Sequence, residues 1–429
     1  MPFSFRIAKQ GKNTKARLGE ITTSHGVIHT PVFMPVGTVG SIKAMKPEEV
    51  AAMGAEIILG NAYHLYLRPG HRIVEKLGGL HKFMNWQKPI LTDSGGYQVF
   101  SLGRDPEARQ QGGRYMELEG LQKTKLAKIT EEGVHFQSHV DGSSHFMTPE
   151  LSIEVQEALG SDIMMAFDDC TPYPATIEES RASMERSLRW EKRSLDFFRS
   201  TIHHSPSTIH QSLFAIIQGG MYRDLRKECF ERLMEVNDQG PGTRDQGLKR
   251  EKFKVTGHGS LVPGQQFSGY AIGGLSVGEP APLMYEMAAY CASLIPSEYP
   301  RYLMGVGMPE DIVACIDTGI DMFDCVIPTR NARNGQLFTK QGPIQIKQAQ
   351  YTEDKGPIES DCPCYTCRCY SRAYLRHLYL SREIMSSVLN TIHNLHYFLN
   401  LLGEVRLAIQ NDRFPEFKNN FFSQIEVSK

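Results

Sequence analysis

The 429-residue sequence contains no long apolar run. Its first residues, MPFSFRIAKQGKNTKARLGEI, carry basic side chains but no apolar stretch of signal-peptide length, and no later segment approaches the roughly 20 apolar residues that span a bilayer. These absences predict a cytoplasmic protein with no membrane partner. An excess of charge is missing too. Lys and Arg number 47 against 48 Asp and Glu, so a nucleic-acid partner would have to be met by a local basic patch. Low-complexity segments and internal repeats are absent, and no G-x-G-x-x-G follows an early strand, which argues against a dinucleotide-binding doubly wound sheet. Nor is there a disulfide framework: Cys170, Cys229, Cys291, Cys315 and Cys325 are scattered, while Cys362, Cys364, Cys367 and Cys369 crowd together in the manner of a metal site.

What the chain has in quantity is alternation. Short apolar runs, Glu56 to Gly60, Pro89 to Thr92, Ile163 to Phe167, Phe214 to Ile217, Tyr270 to Ile272, Tyr302 to Met304 and Met322 to Phe323, read as buried strands. Helical periodicity follows several of them, at Pro149 to Leu159, Ile177 to Phe198, Pro282 to Ile295 and Pro309 to Thr318. Seven or eight such units predict an α/β fold, a (β/α)₈ barrel. Polar residues fall just past the strand ends at Asp93, Asp168, Gln218, Gly274 and Asp324, where barrel enzymes assemble their sites. Asp324 stands out, because a carboxylate among Met322, Phe323, Cys325 and Val326 loses hydration worth several kcal/mol. The polar segments 104–125 and 237–267 interrupt the pattern and read as surface insertions.

C-x-C-x₂-C at Cys362, Cys364 and Cys367, followed by His393, supplies three thiolates and one imidazole, the donor set of a closed tetrahedral zinc site with no open position. The metal is therefore expected to be structural, one Zn²⁺ per chain, in a subdomain of about residues 340–400. Arg368, Arg372, Arg376, His377 and Arg382, with Arg330 and Arg333, could form the basic surface that net charge conceals. Each arginine alone reads more readily as part of a solvated helix face, the cluster as a whole less so. D-S-G-G-Y-Q at Asp93 to Gln98 brings backbone N–H groups close to anything above the strand, although Asp and Ser are also common turn formers and caps. Either Asp168 or Asp169 could likewise serve as a helix cap.

Taken in order, these motifs resemble the tRNA-guanine transglycosylases, of bacterial type. The resemblance rests on IILGNAYHLYLRPG (Ile57 to Gly70), LTDSGGYQ (Leu91 to Gln98), MAFDDCTPYP (Met165 to Pro174), IQGG (Ile217 to Gly220), AIGGLSVGE (Ala271 to Glu279), RYLMGVG (Arg301 to Gly307), GIDMFDCVIPTRNARNG (Gly319 to Gly335) and the Cys and His set. It spans nearly the whole chain outside the two insertions, and implies a single zinc-containing barrel domain over residues 1–429. That family cuts the N-glycosidic bond of guanine at the wobble position of tRNAs with G-U-N anticodons (those for Asp, Asn, His and Tyr). Bacterial members insert 7-aminomethyl-7-deazaguanine (preQ1) on the way to queuosine.

The resemblance implies that Asp324 is the nucleophile at C1′ and Asp93 the general acid/base, with the bond energy kept in a covalent glycosyl ester and no nucleotide cofactor. It implies that Asp168 reads N1–H and the amine of the base, that Gln218 and Gly274 N–H hold O6, and that Tyr97 and Met304 sandwich the ring. Ser94, Gly95, Gly96 and Leu275 complete the base pocket, and Glu279 supports the Gly274 to Ser276 backbone. RNA contacts are expected at Gly305, Val306, Gly307, Met308, Pro309, Glu310 and Asp311, and at Thr329, Arg330, Asn331, Ala332 and Arg333. A homodimer, tRNA, and preQ1 or guanine are the implied partners.

The sequence departs from the pattern at Asp169, Ala62 and Ser276, where Glu, Thr and Ala are usual, and none of these removes a catalytic group. Retention of both Asp93 and Asp324 argues against a catalytically silent relative, and the zinc motif with Arg330 and Arg333 against a glycoside hydrolase. A D-arm enzyme is not expected either, since no long C-terminal RNA-binding extension is seen. Val277, where queuine-using relatives have Gly, points to preQ1, while Ser276 points the other way.

Overall fold

The computed structural model describes residues 3–98, 127–201, 211–238 and 266–426. The first expected insertion, 104–125, lies outside the described residues, as do residues 239–265 of the second. The ends of the second meet: Phe267 N donates to Asn237 Oδ1 at 2.6 Å.

Three antiparallel strands, β1 (Ser4–Gln10), β2 (Arg17–Thr23) and β3 (Gly26–Thr30), precede the barrel. The barrel closes from eight parallel strands, β4 (Val32–Gly37), β5 (Ile58–Gly60), β6 (Ile90–Thr92), β10 (Ile163–Met165), β11 (Ser212–Ile217), β12 (Gly269–Ile272), β13 (Arg301–Leu303) and β14 (Met322–Cys325). Between β6 and β10 the chain forms a small antiparallel sheet of β7 (Ala127–Ile129), β8 (Val134–Gln137) and β9 (Ser144–Met147). A hairpin of β15 (Gln336–Leu337) and β16 (Ile344–Gln345) follows the barrel.

The expected strands are all present, shifted by a residue or two. The eighth, Val32–Gly37, was not among the runs read from the sequence, because Pro35 interrupts an otherwise apolar segment and no helical periodicity follows it closely. Strands of a parallel barrel are covered on both faces, which is why they read as unbroken apolar runs. The period of two nevertheless sorts their side chains. Val32, Met34, Val36, Phe214, Ile216, Tyr302 and Met322 pack together inside the barrel, whereas Phe33, Leu213, Ala215, Ile217, Leu303 and Phe323 join the outer core under the helices. Asp324, two residues beyond Met322, therefore shares the inward face and lies at the mouth. It is the third residue of β14 and still pairs with Met34, so the strand runs further than its apolar part suggested.

At the opposite end of the barrel, Arg17 is buried and bonds Asp321 through Nε (2.9 Å) and Nη2 (2.6 Å), fastening β2 to the start of β14. The helix Pro149–Leu159 shows how local chemistry sets the βα units. Thr148 Oγ1 accepts from Leu151 N, Pro149 occupies the first turn, and Gly160 ends the helix at φ +72°. The helix Ile384–Gln410 leans on the barrel wall, with Phe398 against Phe33 at 5.1 Å between ring centres. No helix among the described residues is long and apolar enough to cross a membrane.

Candidate active site and metal centre

A cavity of about 200 Å³ opens at the C-terminal ends of the strands. Asp93 follows β6, Gln218 follows β11, Gly273 and Gly274 follow β12, Met304 follows β13, and Asp324 is the last residue but one of β14. Ser94, Gly95, Tyr97, Asp168, Leu275, Ser276 and Val277 line the same space. Elements far apart in sequence thus deliver their polar residues to one point because the barrel aligns every strand end.

Two carboxylates face this cavity in different surroundings. Asp93 accepts from Ala62 N at 2.8 Å through Oδ1, and from Asn61 Nδ2 (2.6 Å) and Gln98 Nε2 (3.1 Å) through Oδ2. Burial pushes its carboxyl up to about 7; the Ala62 N–H bond opposes the rise and the neighbouring Asp324 charge adds to it. Asp324 receives Tyr302 Oη–H at 2.6 Å and Gly305 N–H at 2.8 Å, both on Oδ1, which leaves Oδ2 without a hydrogen-bond partner among the described residues. Burial raises its carboxyl, and these two donors pull it back toward the ionised form. Near neutral pH one group can give or take a proton while the other keeps an oxygen aimed at the cavity.

Asp168 is buried and accepts from Gln218 Nε2 at 2.7 Å and Ser94 Oγ at 3.3 Å. Burial raises it to about 6, against the Gln218 bond and helped by the Asp169 charge, so lowering the pH through that midpoint replaces an acceptor-only carboxylate by a carboxyl that also donates. Gln218 Oε1 is buried with no hydrogen-bond partner among the described residues. Gly96 packs against Asp168, where an added Cβ would come within 2.8 Å of its carbonyl oxygen. Glu279 accepts from Ser276 N and, at 2.9 Å, from Val277 N, holding the corner in which Ser276 takes φ +58°. Neither Asp168 nor Asp169 caps a helix: Asp169 is paired with Arg186, and Thr176 caps the helix Ile177–Thr201.

Asn61, Tyr302 and His64 were not singled out from the sequence. Asn61 sits in a quoted motif and Tyr302 in a predicted strand, but only their spatial approach to Asp93 and Asp324 reveals their part. His64 lines the cavity, and burial with the His139 and Lys43 charges pushes it down to about 4, so it is neutral at pH 7.

The two expected RNA segments border the mouth. Gly305 N bonds Asp324, whereas Val306, Gly307, Pro309 and Asp311 are buried and Asp311 accepts from Tyr285 Oη at 2.5 Å. That leaves Met308 and Glu310 partly open. On the helix Ile327–Arg333, Thr329 and Ala332 are buried, while Arg330, Asn331 and Arg333 reach the surface. Of the further basic cluster, Arg372 pairs with Asp354 at 2.6 Å and Arg376 bonds Gln348 O, so Arg368, His377 and Arg382 are its exposed members.

Cys362, Cys364, Cys367 and His393 converge, with His393 Nδ1 at 3.8, 3.7 and 3.3 Å from the three sulfurs. A tetrahedral ion with ordinary Zn–S and Zn–N bonds would separate S and N by about 3.6 Å, so the donors fit. His393 Nε2 lies 2.7 Å from Phe338 O, which fixes the ring with Nδ1 free for a metal. Cys369 is exposed and outside the cluster. Next to His393, Asn394 Nδ2 donates to Pro328 O (3.0 Å) and Asn390 Nδ2 to Ala332 O (3.2 Å), so the helix that carries the imidazole also holds the Ile327–Arg333 helix.

The sequence profile of the queuine tRNA-ribosyltransferase family matches residues 12–427. A protein of Caldanaerobacter subterraneus subsp. tengcongensis named queuine tRNA-ribosyltransferase is 49% identical over 420 residues, 98% of this chain and 97% of its own. Proteins of the same name from Thermoanaerobacter pseudethanolicus (48% over 420 residues, 98% and 97%) and Desulforapulum autotrophicum (48% over 423 residues, 99% of each) are similar to the same extent.

The tie between the metal cluster and the Ile327–Arg333 helix has a measurable consequence. If the cluster holds an ion, a strong chelator is expected to speed hydrogen exchange across residues 327–400 while β10 to β12 keep their protection. Uniform loss of protection in barrel and C-terminal region alike, or none in either, would contradict it.

Proposed function

The chain belongs to the queuine tRNA-ribosyltransferase family, and from that premise we propose that it is a pentosyltransferase exchanging guanine for another base at the wobble position of tRNAs with G-U-N anticodons (those for Asp, Asn, His and Tyr). The observation that carries the reading is the pair Asp93 and Asp324 at one cavity, the first tuned to about 7 and the second holding an unpaired oxygen. In the proposed sequence Asp324 Oδ2 bonds to C1′ of the ribose as the bond from C1′ to N9 of guanine breaks, and Asp93 protonates the leaving base. Asp93 then takes the proton of the incoming base, whose nitrogen displaces Asp324, and two inversions give retention.

The target base is read between Tyr97 and Met304, its N1–H and amine on Asp168 and its O6 on Gln218 Nε2 and Gly274 N. Gln218 Nε2 is bonded to Asp168 in the free protein, so base entry would transfer that donor to O6. Ser94, Gly95 and Gly96 shape the floor beside Asp168. A guanine enclosed in this way has left the anticodon stack, so the loop is bound as single-stranded RNA, with Arg330 and Arg333 at the flanking nucleotides and phosphates. The four-donor cluster is assigned to one structural Zn²⁺, whose chemistry when bound is to hold thiolates and imidazole together. A cytoplasmic homodimer is part of this reading, and a second copy would cover the exposed apolar side chains of Leu380, Ile384 and Met385.

Incubation with unmodified tRNA and labelled guanine should place label at the wobble position, and Asp324→Ala should lose both exchange and the covalent protein–RNA adduct while still binding tRNA. Adduct formation by that variant on a denaturing gel would move the nucleophile elsewhere, Asp93 first.

For the inserted base, preQ1 is proposed over queuine. The Leu275 carbonyl would accept from the aminomethyl ammonium, and queuine carries a bulky ring beyond that nitrogen. Val277 is buried at this wall, and overfilling a fitted pocket costs roughly 1–3 kcal/mol, about tenfold in selectivity. Competition against labelled guanine should favour preQ1 in the unmodified protein and gain queuine use in Val277→Gly; equal or better queuine use by the unmodified protein would defeat the assignment.

A further inference from the structure

Arg226 is fully buried, on the inner side of the helix Arg223–Asp238, and has no carboxylate in ion-pair range among the described residues. A bare guanidinium in the interior is costly unless its N–H groups are satisfied. Here they are, almost wholly by backbone carbonyls at the cavity: Nε donates to Gly220 O at 2.7 Å, Nη1 to Ile217 O at 3.2 Å and Nη2 to Gly273 O at 3.1 Å. The remaining contact is Nη1 to Cys291 Sγ at 3.8 Å. Ile217 and Gly220 bracket Gln218, and Gly273 O belongs to the same peptide group as Gly274 N–H. The peptide is trans, so its N–H points away from the guanidinium, and Gly274 borders the cavity. Gly274 N donates to no acceptor among the described residues, and an added Cβ on Gly274 would stand 2.6 Å from Gln218 Oε1.

A cation on the carbonyl side of a peptide polarises it and strengthens the N–H on the other side as a donor. We propose that Arg226 is a positioning residue that locks β11 to β12 and polarises the Gly273–Gly274 peptide, so that Gly274 N–H binds O6 of the base most strongly when negative charge builds on that oxygen as the glycosidic bond breaks. The inference rests on the base-exchange reading and adds to it a residue that touches neither base nor sugar. The sequence alone did not single it out.

Arg226→Lys tests it, because one ammonium cannot serve carbonyls spread across the span of a guanidinium fork. Arg226→Met is the companion variant, and its thermal melt reports whether the fold survives; if Met unfolds the chain, Lys carries the test. Binding of guanine, hypoxanthine and 6-thioguanine is measured by calorimetry. Hypoxanthine lacks only the 2-amino group, and 6-thioguanine keeps N1–H and the amine but offers sulfur, a weaker acceptor, in place of O6. Guanine affinity should fall about tenfold, the preference for guanine over 6-thioguanine should shrink, and the preference for guanine over hypoxanthine should hold. A uniform loss for all three bases, as from general loosening, would overturn the proposal, and so would wild-type affinities. Absence of guanine exchange by the unmodified protein would remove the functional reading itself, whereas intact exchange with unchanged base preferences would remove only the role of Arg226.

Discussion

Two carboxylates at one water-poor cavity are the constraint on which the rest of this structure depends. Asp93 and Asp324 each lose hydration, and the Asp324 charge further disfavours ionisation of Asp93. Such a pair persists only where the surroundings separate the two roles. Tyr302 and Gly305 supply donors to one oxygen of Asp324 and favour its charge, while Asp93, held by Asn61, Ala62 and Gln98, is left near neutrality. The barrel makes this possible because its strand ends fix every participant on rigid backbone. The inner face of β14 brings Asp324 up from the packed core, and the turn after β6 brings Asp93 across to it.

A second layer keeps that geometry from relaxing. Glu279 ties the Ser276 and Val277 amides, and Arg226 ties the carbonyls beneath Gln218 and Gly274. The Cys and His cluster acts at longer range, through the helix whose Asn390 and Asn394 grip the segment bearing Arg330 and Arg333. The fixed site and the surface proposed to bind RNA are thereby joined without sharing a residue.

Much of this was legible in the sequence because strand ends in a barrel are marked by abrupt changes from apolar to polar. Asp93 and Gln218 announce themselves in that way, and the Cys and His set does so by its spacing. The misses have physical causes. Pro35 masked the eighth strand, because a proline normally argues against a strand that is paired on both sides, as β4 is in the closed barrel. Tyr302 looked like a core aromatic, and it is one, apart from the hydroxyl that meets Asp324. Arg226 was not singled out in the sequence; its burial depends on carbonyls of Ile217, Gly220 and Gly273, beyond the reach of local pattern. In the segments expected to touch RNA, a run of matching residues concealed that Val306, Asp311 and Ala332 face inward.

The central claim is that burial, with the Asp324 charge adding to it, holds the Asp93 carboxyl near neutrality. Infrared titration of the protein with carboxyl-labelled aspartate, differenced against Asp93→Asn, measures it directly. The Asp93 band should titrate near pH 7, protonated below and ionised above, and its midpoint should fall when Asp324 is replaced by Asn, since the charge that opposes its ionisation is gone. A midpoint near pH 4, or one that Asp324→Asn leaves in place, would contradict the account.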